Sequence, residues 1–295
     1  MKKSKIIMLS VTVIVSLILL ILFTGSFLVY KVAVEPHDQD LTYIQTMNGF
    51  ITGNADGKNE KRLKESSMRE DYHHISIYYD ENFSELLPLT KETLDLAIER
   101  TEELFGKTDD VSLDLLVYEN FVEMNNYKLS EARDAYYSDF QKIIAIHNSG
   151  KEILLAGDDL ALYGFRQILI HEYTHYAFYR RAESPQHYPI WFIEGVAEYA
   201  GNDPDSVFFP HFEPIPFRQL SSPGQWEAAL GTPLKSPYSQ SYYALAFLTG
   251  EFGEEVIVKI IDSVNDTRDF EKSFSEVTGL TLAELDEEFL RDYKD

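Results

Sequence analysis

Cysteine is absent from the 295 residues of this chain. Its absence excludes disulfide bonds, thiolate metal sites, cysteine nucleophiles and acylation of the lipoprotein type. An Asp-x-Asp-x-Asp-Gly loop of the EF-hand kind is also absent, which excludes that class of calcium site. With 44% apolar and 25% charged residues, the chain has the composition of an ordinary globular protein of one large or two modest domains.

Positive charge is scarce. The chain has 26 Lys and Arg against 49 Asp and Glu, a formal net charge of −23. Because the only charged residues before Glu35 are four lysines, residues 35–295 carry 22 basic and 49 acidic groups, a net charge of −27. Such a polyanion repels DNA and RNA, so the sequence predicts no nucleic-acid partner.

One long apolar run lies near the amino terminus. Residues Ile6 to Tyr30 are uncharged and form about 37 Å of helix, enough to span a bilayer. The basic start Met1–Lys5 favours a cytoplasmic amino terminus. We therefore predict that residues 1–34 are a cytoplasmic tip and transmembrane signal-anchor of a single-pass cell-membrane protein, with the rest extracytoplasmic. The alternative is secretion after signal cleavage, for which Thr24-Gly25-Ser26 is a poor site.

The remainder of the chain divides into a polar spacer and one folded region. Residues 35–71 are polar and lack periodicity, which predicts a stalk or linker. Periodic apolar patterns then predict an α+β domain over residues 72–295, with a small strand-rich lobe followed by a helical lobe. Predicted strands are His74–Tyr79, Val111–Tyr118 and Lys142–Ile146; predicted helices are Leu86–Phe105, Leu160–Arg181, Pro189–Ala200, Ser239–Phe252, Glu254–Val264 and Leu282–Tyr293. Seven of the eleven prolines lie in residues 202–237, which predicts a long loop with at most short helical turns.

A His-Glu-x-x-His motif lies inside the helix predicted over Leu160–Arg181. Its histidines, His171 and His175, are four residues apart and so project from one face, where two imidazole nitrogens can bind one Zn²⁺. Glu172 points about 100° away and can reach a water without binding the metal itself. The alternative is an ordinary pair of histidines on a helix surface.

Two carboxylates in the next predicted helix complete the pattern. An 18-residue gap separates His175 from Glu194, which can supply a third ligand and leave a fourth tetrahedral position open, as in catalytic zinc sites. Glu198 lies one turn further on the same face and can accept the ring N–H of His171. The alternative is that both carboxylates face solvent on an amphipathic helix.

These motifs resemble the gluzincin metallopeptidases, and within them the peptidase MA-like family. The resemblance rests on His171-Glu-Tyr-Thr-His175, the 18-residue gap, and Trp191-Phe-Ile-Glu194-Gly-Val-Ala-Glu198-Tyr199, and covers about residues 73–293. It implies a zincin-like fold with one catalytic Zn²⁺ held by His171, His175 and Glu194. It also implies that Glu172 is the general base and that Glu198 supports the ligand histidine.

Two further assignments follow only from the resemblance. Gluzincins commonly use a Tyr or His from the later helices to stabilise the oxyanion, and the matching residues here are Tyr242 and then Tyr238. Gluzincins also pair extended substrate with an edge strand near the metal, and Ile143–His147 matches that strand. Its residues Ile143, Ala145 and His147 are therefore predicted to bind substrate.

The sequence as a whole predicts a membrane-anchored zinc metallopeptidase. It would hydrolyse a peptide or protein substrate by zinc-activated water, with Glu172 as general base. An alternative from another class is a peptide-binding or sensory module with weak or no turnover on the same scaffold. A zinc hydrolase of a non-peptide amide is a third reading.

Overall fold

The amino-terminal helix is long and apolar. The structure, a computed structural model, describes residues 2–34, 42–52, 56–125, 133–202 and 212–294. Helix α1, Lys2–Val29, continues as a π-helical turn over Tyr30–Val34. The segment Val11–Val32 has a mean hydropathy of 2.6 and is long and apolar enough to cross a membrane or to act as a signal sequence.

A five-stranded mixed sheet forms the amino-terminal part of the folded domain. Its spatial order is β1-β2-β3-β5-β4; the three inner strands are parallel to one another, and each outer strand is antiparallel to its neighbour. The strands are β1 Met68–Tyr72, β2 Ile75–Tyr79, β3 Leu113–Tyr118, β4 Ala135–Ser138 and β5 Ile143–His147. All three predicted strands are present, whereas β1 and β4 were not predicted.

Strand β5 lies inside the sheet, so the prediction that Ile143–His147 is an edge strand is wrong. Ala145 pairs with Leu116 of β3 on one side and with Tyr136 of β4 on the other. Because both edges of β5 are hydrogen bonded, Ile143, Ala145 and His147 offer no open backbone edge to a substrate. That edge belongs to β4, which precedes β5 in sequence but lies outside it in space.

Helices make up most of the described chain. The six predicted helices are confirmed, with ends shifted by at most three residues. The helices that follow α1 are α2 Tyr43–Thr52, α3 Lys58–Ser66, α4 Leu87–Phe105, α5 Phe121–Met124, α6 Lys151–Leu155, α7 Asp159–Arg181, α8 Ile190–Gly201, α9 Pro223–Leu230, α10 Pro237–Phe252, α11 Val256–Thr267, α12 Phe270–Thr278 and α13 Leu282–Lys294. The fold is therefore a mixed α/β fold that is mostly helical.

Two segments, one predicted to be a spacer and one a loop, contain helices or strands. The end of the predicted spacer over residues 35–71 belongs to the folded domain, because α3 packs on β3 and Met68–Tyr72 forms β1. Lys64 of α3 makes ion pairs with Asp56 at 2.7 Å and with Asp114 of β3 at 2.5 Å. The predicted loop over residues 202–237 contains α9, which begins at Pro223 because proline suits the first helical turn; residues 203–211 lie outside the described chain.

The two parts of the core meet at α7. One apolar cluster joins the sheet to α4 and the first half of α7, through residues such as Leu115, Ile144 and Leu169. A second cluster joins the end of α7 to α8 and the later helices, through residues such as Phe178 and Trp191. Helix α7 therefore has buried neighbours in both parts, and its middle lies where the sheet meets the helices.

Candidate metal centre

Helix α7 places three polar side chains where the sheet meets the later helices. Its first turn is capped by Asp158, whose side chain accepts a hydrogen bond from the backbone N–H of Ala161 at 2.9 Å. Its middle carries His171, Glu172 and His175, each of which is less than a tenth exposed. The sequence places these polar groups in an otherwise apolar stretch, so they are buried on the side that faces α8.

Helix α8 brings two carboxylates to the same place because glycines let it approach its neighbours closely. A Cβ on Gly201 would lie 2.8 Å from the backbone oxygen of Gln167 in α7. A Cβ on Gly195 would lie 2.9 Å from the backbone oxygen of Ser241 in α10. With no side chain at either position, α8 fits between α7 and α10 and directs Glu194 and Glu198 toward the histidines.

The side chains of His171, His175 and Glu194 converge on one point. The Nε2 atoms of the two histidines are 3.1 Å apart, and Oε2 of Glu194 lies 3.4 Å and 3.5 Å from them. Three ligands of a tetrahedral zinc ion at about 2.0–2.1 Å would be separated by about 3.3–3.4 Å. The triangle of donor atoms therefore has the size that a single small divalent ion requires, although the geometry does not identify the metal.

The electrostatics of the cluster also favour a bound cation. Burial alone would lower the pKa of His171, but the carboxylates of Glu194 and Glu198 outweigh it and raise that pKa well above its usual value. Burial likewise acts to raise the pKa of Glu194, but the two histidines lower it far below its usual range. Both shifts have one cause, which is that buried carboxylates require a positive charge beside them.

Glu198 lies beside the outer side of the His171 ring. Its Oε1 atom lies 3.1 Å from Nδ1 of His171, although the N–H points poorly at that oxygen. The Nδ2 group of Asn202 donates to the other carboxylate oxygen at 2.9 Å, and Gln167 donates to it at 3.4 Å. Tyr163 in turn donates to Oδ1 of Asn202 at 2.7 Å. This chain of hydrogen bonds holds the Glu198 carboxylate beside the His171 ring.

A cavity of about 390 Å³ opens onto the cluster. Glu172 lines it together with the two histidines and Glu194. Within the described part of the chain, the Glu172 carboxylate makes no hydrogen bond or ion pair.

The two predicted tyrosines have different surroundings. Tyr238 lines the cavity, with its ring centroid 6.3 Å from that of His171. Tyr242 is buried one turn further along α10, against Tyr199 and Tyr243, and is not part of the cavity wall. Of the two residues, Tyr238 is therefore the one next to the cluster, because it lies at the start of α10.

Strand β4 forms the opposite wall, which the sequence did not predict. The cavity is lined by five consecutive residues, Arg133, Asp134, Ala135, Tyr136 and Tyr137. Among the described residues β4 pairs only with β5, which makes it an edge strand of the sheet. One ion pair joins this segment to α7: Arg180 pairs with Asp139, which also accepts a hydrogen bond from the Tyr137 hydroxyl at 2.7 Å.

A methyl group at Gly201 is expected to disturb the metal centre. Since the Gln167 carbonyl cannot move without breaking α7, Gly201→Ala should push α8 outward, destabilise the protein by about 1–3 kcal/mol and weaken metal binding. Thermal unfolding and metal titration measure both effects. Gly250→Ala in α10 is the matched control, because its Cβ would meet no atom within 4 Å and the change should be neutral or stabilising. Equal behaviour of the two variants would contradict the close helix approach.

Comparison with known proteins finds a relative of similar sequence and solved structures of similar fold. The chain matches no family model. The uncharacterized protein YhcO of Bacillus subtilis (strain 168) is 29% identical over 246 residues, which cover 82% of this chain and 76% of that protein.

The similar fold is that of Legionella pneumophila aminopeptidase A, solved in complex with aspartic acid. The TM-score is 0.53 at 16% identity, over 76% of this chain and 28% of that chain. This chain thus spans little more than a quarter of the length of that aminopeptidase. The likeness is one of fold, and the group that could bind a metal ion is His171, His175 and Glu194.

Proposed function

We propose that this chain is a membrane-anchored, zinc-dependent metallopeptidase of the gluzincin type, with a zincin-like catalytic domain outside the cytoplasm. The observation that carries the proposal is the convergence of His171, His175 and Glu194 within one cavity that also holds Glu172. The similar fold of an aminopeptidase supports it. The apolar segment Val11–Val32 after a basic tip supports the anchor and its orientation.

The residues of the chain have separate tasks in this proposal. His171, His175 and Glu194 hold the ion, and Glu198 fixes the orientation of His171. When bound, zinc supplies a Lewis acid that polarises the scissile carbonyl and lowers the pKa of water toward about 7. Glu172 accepts the proton of the attacking water and passes it to the leaving amine. The substrate backbone lies extended along the open edge of β4.

The proposal is tested on the full chain purified in detergent. We expect near-stoichiometric zinc by elemental analysis, cleavage of a mixed peptide library detected by mass spectrometry, and loss of cleavage on chelation with recovery when zinc is restored. Zinc binding without cleavage of any library member would favour a peptide-binding module instead. Absence of zinc would contradict the metal centre itself.

Tyr238 is expected to stabilise the developing oxyanion. Burial raises its pKa, and the Glu194 carboxylate adds to the increase, so the hydroxyl keeps its proton and can donate at neutral pH. Tyr238→Phe should lower kcat by about 10²-fold or more with little change in KM. Tyr242→Phe is the matched control on the same helix and should keep kcat within a few-fold. A large loss of kcat in Tyr242→Phe, with little change in Tyr238→Phe, would show that Tyr242 stabilises the oxyanion instead.

A further inference from the structure

A second cavity of about 220 Å³ lies next to the candidate metal cavity. The two cavities share two wall residues, Asp134 at the start of β4 and Ile168 in α7. The second cavity therefore lies beside the candidate metal cavity, with Asp134 and Ile168 lining both. A substrate that lies along β4 would pass its entrance.

The walls of this cavity are mainly apolar. Ile146, Leu154 and Leu169 are buried residues of its wall, and Phe165 adds a partly buried ring. Ile153 lies at its rim and is 53% exposed. An apolar cavity of about 150 Å³ can hold a benzene molecule. The volume and lining here thus suit one large apolar side chain and are too small for a typical drug-sized ligand.

The position of the cavity along α7 indicates which substrate residue it receives. Ile168 and Gly164 precede His171 by three and seven residues, so the cavity extends to about 10 Å from the metal ligand along the helix axis. An extended peptide advances about 3.3 Å per residue. Hence the side chain that reaches the cavity belongs to a residue two or three positions from the scissile bond.

We propose that this cavity is a specificity subsite that binds a large apolar side chain, such as phenylalanine or leucine, of the peptide substrate. The inference rests on the proposed function, since it takes the substrate to lie along β4. It names the substrate class as peptides with an apolar anchor residue near the cleaved bond. Apolar burial supplies the selectivity, because the shorter side chain of alanine would leave the cavity partly empty.

Gly164 provides a way to fill the cavity without disturbing the fold. It lies within α7 and lines the cavity, and a Cβ there would have no atom within 4 Å. Gly164→Phe should therefore place its ring in the cavity. Gly250→Phe is the matched control, because Gly250 is also helical and its Cβ also meets no atom within 4 Å. A second variant, Ile153→Asp, puts a charge at the exposed rim, where folding is not at risk.

The test measures peptide affinity separately from cleavage. Full-length Glu172→Gln protein is titrated with fluorescent peptides that carry phenylalanine or alanine at each of three positions on either side of the central bond. We expect phenylalanine at one position to tighten binding about 10-fold or more. Adding Gly164→Phe should abolish this preference, Ile153→Asp should weaken it, and Gly250→Phe should leave it intact.

Three outcomes overturn the subsite: no binding of any peptide, equal affinity for the phenylalanine and alanine peptides, or a preference that survives both Gly164→Phe and Ile153→Asp. Cleavage of the same peptides by the parent protein tests the proposed function independently. Selective binding without turnover would support the subsite and contradict the peptidase. Turnover without an apolar preference would support the peptidase and contradict the subsite.

Discussion

Replacement of Glu172 by glutamine is expected to lower kcat for peptide hydrolysis by about 10²–10⁴-fold while leaving the bound metal in place. The amide has almost the shape of the carboxylate but cannot accept a proton. Because Glu172 lines the cavity and does not belong to the convergent ligand group, its loss should not empty the metal centre. Steady-state kinetics and elemental analysis of the same preparation measure the two quantities together.

The exposed Glu251→Gln in α10 is the control for this substitution, since it makes the same chemical change far from the cavity wall and should retain parental kcat. Retention of full activity by Glu172→Gln would remove the residue from the mechanism. Loss of metal together with activity would show instead that Glu172 is needed to hold the ion.

Metal loading is expected to stabilise the protein strongly. A ligand that binds only the folded state, at a free concentration 1,000 times its Kd, adds ~4 kcal/mol to the free energy of unfolding. For a domain of this size that corresponds to a rise in Tm of about 8–16 °C. The ion would join α7 to α8, and without it the buried carboxylates of Glu194 and Glu198 lose a neighbouring cation. Calorimetry of chelated and zinc-loaded protein measures the difference.

Glu194→Gln should abolish most of this metal-dependent rise in Tm, because the amide is a weaker ligand than the carboxylate. His187→Ala, a histidine outside the ligand group, should preserve it. A Tm that does not respond to zinc in the parent protein, or that responds equally in Glu194→Gln, would contradict the proposed ligand set.

Local patterns in the sequence were sufficient for the parts of the site that lie within one helix. The helical periodicity around α7 and α8 predicts both elements, and the four-residue spacing of His171 and His175 dictates that they share a face. That Glu194 reaches the same point depends on the packing of α8 against α7. The resemblance supplied this pairing, and the structure brings the three side chains together.

Features set by long-range packing were missed or misplaced. Strands β1 and β4 have little apolar alternation, because edge strands bury less than central ones, and so neither gave a clear pattern. The error over β5 arose because sequence order does not give spatial order in a sheet. Gln167 had no recognisable motif, since its contact with Glu198 exists only where α7 and α8 meet. The contact of Asn202 with Glu198 is local, four residues along the chain, but neither residue type signals it. Which of Tyr238 and Tyr242 lies next to the cluster likewise depends on where α10 begins.

The short length of β4 limits the number of backbone hydrogen bonds that it can offer to a bound polypeptide. With only the four residues Ala135–Ser138, the strand can offer hydrogen bonds to a similarly short stretch of backbone. A peptide segment can dock there only when its backbone N–H and C=O groups are not already hydrogen bonded within its own fold. A tightly folded protein therefore has no segment free to dock. If a substrate docks on this edge as we propose, frayed tails and exposed surface loops would fit it.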